Sequence, residues 1–161
     1  MKIIKNLLLM SAFALVLGFV GCTEKEVEPD PADQVIGTYN GTAYTESING
    51  VAQSIDLTNE LIKNEVIISM NVAKKSASVV TVLLSISQRD SLGAMQTYTD
   101  TYDTIDLKAL GSGNFEMQNA GTTVGQIGNG ALKLQESYSD SDENGNAMQV
   151  SVTIDAKKSG T

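Results

Sequence analysis

Beyond residue 34 the chain contains no proline, and over that length β-forming residues alternate with polar ones between short runs of Gly, Asn, Ser and Asp. A period of two sends successive side chains to opposite faces, so one face is dry and the other wet, which is the pattern of a half-buried strand. Met148, Val150, Val152 and Ile154 alternate in this way with Gln149, Ser151, Thr153 and Asp155, and Val66, Ile68, Met70 and Val72 repeat the pattern. Residues 79–86 are apolar on both faces for part of their length, which predicts a strand covered on two sides or curved. In residues 95–107, Thr97, Thr99 and Thr101 share one face and Tyr98, Asp100 and Tyr102 the other. Asp106 is expected beside Asp100, with Asp103 opposite. Asn49-Gly50, Asn129-Gly130 and Asn144-Gly145 are dipeptides that accept positive φ and favour two-residue hairpins. Together these signals predict eight strands, near residues 35–47, 51–58, 65–73, 78–88, 95–107, 113–118, 130–139 and 147–157. Leu57, Leu61 and Ile62 carry the spacing of a helical turn within residues 57–65.

Eight sequential antiparallel strands either close into an up-and-down barrel or stack as a two-sheet β-sandwich. Closure removes exposed edges, and an eight-stranded barrel has an interior just wide enough for side chains or one small ligand. The all-β class is therefore expected, with the barrel as the first arrangement and the sandwich as the alternative. A chain of 161 residues has room for one such domain. It has no His, no Trp and a single Cys, so imidazole-based triads, cysteine-rich zinc sites and disulfides within the chain are excluded. The formal charge of −8 would repel a phosphate backbone, which argues against a nucleic-acid partner.

The N-terminus reads as an address. Lys2 and Lys5 precede an uncharged run over residues 7–20, followed by Gly21 and the sole cysteine, Cys22. A basic start, a short apolar core and a small residue are the parts of a secretory signal, and the run is shorter than the roughly 20 residues that cross a bilayer as a helix. Phe19-Val20-Gly21-Cys22 resembles the lipobox of bacterial lipoproteins, which implies acylation of Cys22 and a membrane-tethered domain. Residues 23–33 hold five acids, one lysine and both prolines, and read as a solvated spacer. An acidic stretch just past the lipidated Cys also resembles the export tag of surface lipoproteins in some Gram-negative bacteria. The expected organisation is a signal peptide over 1–21, a lipidated acidic flexible linker over 22–34 and a β-barrel domain over 35–161. The expected location is the outer membrane, at the cell surface or alternatively on the periplasmic face.

Gly37-Thr38-Tyr39-Asn40-Gly41-Thr42 at the start of the domain, and Gly125-Gln126-Ile127-Gly128-Asn129-Gly130-Ala131-Leu132-Lys133-Leu134 near its end, resemble the lipocalin-like (calycin-like) β-barrel lipoproteins of Gram-negative bacteria. The resemblance implies a barrel over residues 35–158 whose inward side chains line any ligand site. By the alternation those side chains are Tyr39, Met70, Leu84, Phe115, Met117, Leu134, Met148 and Val152, and methionines make such a lining pliable. Asp140-Ser141-Asp142-Glu143-Asn144-Gly145 matches the first six positions of a calcium loop, with Asp140, Asp142 and Asn144 as ligands. Ser151 stands where the bidentate Glu belongs, so a plain hairpin turn is the competing reading. No S-x-x-K occurs and no carboxylate pair is singled out by spacing, so no catalytic residue and no cofactor are expected. The function expected is a non-enzymatic, monomeric lipoprotein carrying a small apolar or amphiphilic ligand. A structural or adhesive surface module that binds a protein or glycan is the alternative, and a carboxylate-based hydrolase is the third reading.

Overall fold

A computed structural model describes residues 29–160. The proposed signal segment, Cys22 and the first part of the linker lie outside the described residues. One short helix, α1 (Pro31–Val35), precedes nine strands: β1 (Gly37–Ile48), β2 (Val51–Asp56), β3 (Val66–Ser76), β4 (Val79–Arg89), β5 (Met95–Gly111), β6 (Asn114–Asn119), β7 (Thr122–Gly128), β8 (Ala131–Ser141) and β9 (Ala147–Lys158). All pairings are antiparallel. The last strand returns to the first, and β1 pairs β9 from Tyr39–Lys158 to Ile48–Val150. The domain is therefore a closed barrel of eight strands, and the sandwich is excluded.

The eight staves are not the eight expected strands. On its other side β1 divides: Gly37–Asn40 pair with β3, whereas Ala43–Ile48 pair with β2. Strand β2 thus hangs outside the ring as the return of a hairpin, with every residue exposed. Its place in the ring is taken by β7, which the sequence reading passed over. The strand was hidden by its turn. Ala120-Gly121 makes a two-residue turn with φ of 49° and 81°, matching Asn49-Gly50 and Asn129-Gly130, although alanine rarely adopts positive φ. Asn144-Gly145, by contrast, belongs to a longer loop closed by hydrogen bonds between Asp142 and Asn146.

The core occupies the lower half of the barrel, the end at which β1 begins. Tyr39, Met70, Val80, Val82, Ile105, Met117, Ile127 and Leu132 are almost wholly buried there. Each such side chain contributes about 1.5–3 kcal/mol when removed from water. Strand β4 is not covered on two sides: Val80, Val82 and Leu84 face the core, while Leu83 on the outer wall remains 40% exposed. A bulge between Tyr102 and Ile105 on β5 switches the parity of that strand. Asp100 therefore faces inward with Tyr102, and Asp106 faces outward, so the expected shared face of the two aspartates does not exist.

The bottom of the barrel is plugged. Ala32 and Val35 of α1 are fully buried, Ala32 N–H donates to the Ala77 carbonyl, and the Tyr39 hydroxyl donates to the Val35 carbonyl at 2.8 Å. Lys74 Nζ reaches Asp30 at 3.0 Å and Asp33 at 2.7 Å, fastening the plug to β3. The end of the expected flexible linker is thus ordered, because Val35 has an apolar floor to cover and the two aspartates have a lysine to meet. Residues 57–65 form turns, with Ile62 and Lys63 N–H both donating to the Asn59 carbonyl, in keeping with the helical spacing.

Candidate functional site

The opposite end of the barrel is open, and strand lengths are the cause. Strand β5 has 17 residues and β8 has 11, but the β6–β7 hairpin between them has strands of only six and seven. Strand β5 pairs with β6 only from Asp106 on, and β8 pairs with β7 only up to Leu134. Beyond those points the sheet splits into two arms. One is made of β3, β4 and β5; the other is made of β2, β1, β9 and β8. Both tips close with the same device, in which an aspartate carboxylate collects the backbone of its own loop. Asp90 Oδ1 accepts from Leu92 and Ala94 N–H, and Asp142 Oδ1 accepts from Asn144 and Asn146 N–H. These bonds hold both carboxyls below their ordinary range, the side-chain donors Gln96 and Asn146 contributing most.

The inner faces of the arms follow from register. Tyr44 stands opposite Ile154 and Ile55, Leu134 opposite Ile154, Glu136 opposite Val152 and Tyr138 opposite Val150. On the facing arm, Leu84 stands opposite Asp100 and Ile86 opposite Tyr98. Between the arms lies a cavity of about 190 Å³ lined by Tyr44, Leu84, Ile86, Leu134, Glu136, Tyr138, Val152 and Ile154. One hydrogen bond crosses the gap left by the short hairpin: the Tyr102 hydroxyl on β5 donates to Glu136 Oε1 on β8 at 2.5 Å. Burial, together with the Glu136 carboxylate, raises the Tyr102 phenol well above its ordinary pKa, so it stays protonated. Tyr44 is raised as well, first by burial and then by Glu46 and Tyr138.

The residues expected to line a site are distributed unevenly. Leu84, Leu134 and Val152 line the cavity. Tyr39, Met70, Phe115 and Met117 are buried below it and form packed floor. Met148 is half-buried at the tip of β9, opposite Asp140 and clear of the core. The sequence reading missed Tyr44, Ile86, Glu136, Tyr138 and Ile154. Glu136 was findable, because the alternation of Leu132 and Leu134 continues inward through Glu136 to Tyr138. In the loop whose sequence matches the start of a calcium loop, Asp142 caps its own turn and Asp140 Oδ1 accepts from Ser141 N–H. Among the described residues no three Asp or Glu side chains come together to hold an ion.

Further hollows lie elsewhere among the described residues. One of about 340 Å³ sits on the outer wall beside the Lys133–Asp155 ion pair. Another, of about 600 Å³, is the notch beside β8 where β7 falls short, and it shares Glu136 and Tyr138 with the mouth. The sequence matches no protein-family model and has no significant match among curated proteins. What the site does must therefore be argued from its chemistry. The cavity offers apolar contact, aromatic faces and one carboxylate, which is equipment for binding.

Proposed function

We propose that this chain is a non-enzymatic lipoprotein, anchored through Cys22 to the outer membrane and displayed at the cell surface, that holds a small apolar or amphiphilic molecule in the split end of its barrel. The observation that carries the reading is the mouth cavity, an apolar space between two arms above a fully packed floor. An engineered cavity of about 150 Å³ is enough to take up a benzene ring, so a space of about 190 Å³ accommodates a comparable group. Polarity along the barrel axis agrees with the tether. The chain enters at the plugged pole through Asp30 and α1, so an anchor at Cys22 would attach to the domain at the pole opposite the mouth.

Native mass spectrometry of protein purified from membranes is the test. A bound small molecule, lost on Leu84→Trp or Val152→Trp substitution, is the expected result. A barrel that is consistently empty and takes up no added apolar probe would overturn the reading. For the anchor, a palmitate analogue should label the protein and fail to label Cys22→Ser; label that persists in the variant would refute lipidation there. The structural or adhesive alternative is favoured by one feature, the free outer edge of β2, which has no proline or lysine to block pairing with another strand.

A further inference from the structure

The mouth carries a chemical preference beyond its size. The chain has five tyrosines, and four of them converge on the split end. Tyr44 and Tyr138 line the cavity, Tyr102 bonds to Glu136, and Tyr98 stands opposite Ile86 on the facing arm. The carboxylates keep the same company. Glu136 is part of the lining, Asp100 stands opposite Leu84, and Glu46 stands opposite Val152, so all three project from the inner faces.

No lysine or arginine shares those faces among the described residues. Lys63 pairs with Glu60 in the loop after β2, Arg89 with Glu65 on the outer side of its arm, and Lys133 with Asp155 on the outer wall. Lys74 belongs to the plug, and Lys75 reaches the Asp103 carbonyl at the bulge. Lys108, Lys157 and Lys158 lie on the lower barrel, below the split. Glu136 has one oxygen engaged by Tyr102 and a second that makes no hydrogen bond within the described residues.

Aromatic faces attract cations through their quadrupole, and a carboxylate at the edge of such a group adds direct charge attraction. The geometry points to an organic ammonium ion as the ligand class: an apolar or aromatic body seated on Leu84, Leu134 and Ile154, with its cationic nitrogen at Glu136 among the tyrosines. Fatty acids and other anionic amphiphiles are disfavoured by the same three carboxylates. This inference rests on the mouth being a ligand site at all.

The test uses the full-length protein and three probes of matched carbon count: 3-phenylpropylammonium, 3-phenylpropanol and 3-phenylpropanoate. Binding is followed by the methyl chemical shifts of Leu84, Ile86 and Val152. The ammonium should bind at least about tenfold tighter than the alcohol, the carboxylate weakest of the three. Glu136→Gln, whose amide oxygen still accepts from Tyr102, should bring the ammonium close to the alcohol. Binding of the carboxylate as tightly as the ammonium, or an ammonium preference that survives Glu136→Gln, would overturn the inference. If the alcohol binds and the ammonium gains nothing, the charge preference falls and the ligand site stands. If none of the three shifts those methyls, both fall together.

Discussion

Tyr102→Phe removes one oxygen atom from the only hydrogen bond described between β5 and β8, and its consequences depend on pH. The ring is 8% exposed and keeps its packing in the variant. Its hydroxyl donates to Glu136 at 2.5 Å, and that carboxylate is on the solvent side of the gap. A hydrogen bond to a charged group is worth about 1.5–3 kcal/mol net, but an exposed carboxylate regains water when its partner is lost. The expected cost near neutral pH is therefore about 1 kcal/mol, or roughly 4 °C in Tm for a domain of this size.

Alkali should erase the difference. The folded-state pKa of Tyr102 lies above that of the unfolded chain, so its contribution is complete below about pH 10 and declines as pH rises beyond that value. Above pH 10 the unfolded wild type ionises this phenol while the native state cannot, and the lost stability grows by up to about 1.4 kcal/mol per pH unit. The phenylalanine variant has no such group. Urea unfolding of both proteins from pH 7 to 11 should start about 1 kcal/mol apart and converge above pH 10. Curves that remain parallel to pH 11 would refute the environment assigned to Tyr102.

Gly128→Ala should destabilise the barrel by about 3 kcal/mol or more, read by chemical denaturation. A Cβ there would lie 2.2 Å from the Gly113 carbonyl oxygen and 2.7 Å from Asn114 Cα, both backbone atoms, at φ of 154°. Met117→Ala, at a fully buried position, should cost about 2–5 kcal/mol, whereas Met148→Ala at the half-buried tip should cost well under 1 kcal/mol. Asp90 and Asp142 have lowered folded-state pKa values, so their contribution is present above about pH 4 and lost as pH falls through the folded values. Protection of the Ala94 and Asn146 amides, measured relative to their intrinsic exchange rates at each pH, should fall in that acid window before protection in the barrel floor does.

Much of the fold was legible because period-two alternation is a local signal. The final strand was bounded within one residue, and Asn49-Gly50 and Asn129-Gly130 form the expected turns. Three features were not local. Strand β7 was obscured by Ala120-Gly121, a turn whose first residue carries no mark of positive φ. The parity change on β5 comes from a bulge set by pairing with β4, so Asp100 and Asp106 looked alike in sequence. The mouth exists because β6 and β7 are short relative to β5 and β8, a comparison between elements far apart in the chain. Leu84, Leu134 and Val152 were found as inward residues, but alternation alone does not say which layer of a barrel is floor and which is rim. Glu136 was passed over because a polar residue at an inward position breaks the apolar pattern that identifies a core.

Cross-strand nuclear Overhauser contacts test the barrel and its split end in one spectrum. The structure requires a series from Tyr39–Lys158 to Ile48–Val150 between β1 and β9, broken only by a register shift between Gly41 and Ala43, with pairing between β5 and its β6 neighbour beginning at Asp106. A first strand in contact with β2 alone, or backbone pairing of β6 with β5 before Asp106 or of β7 with β8 beyond Leu134, would contradict it.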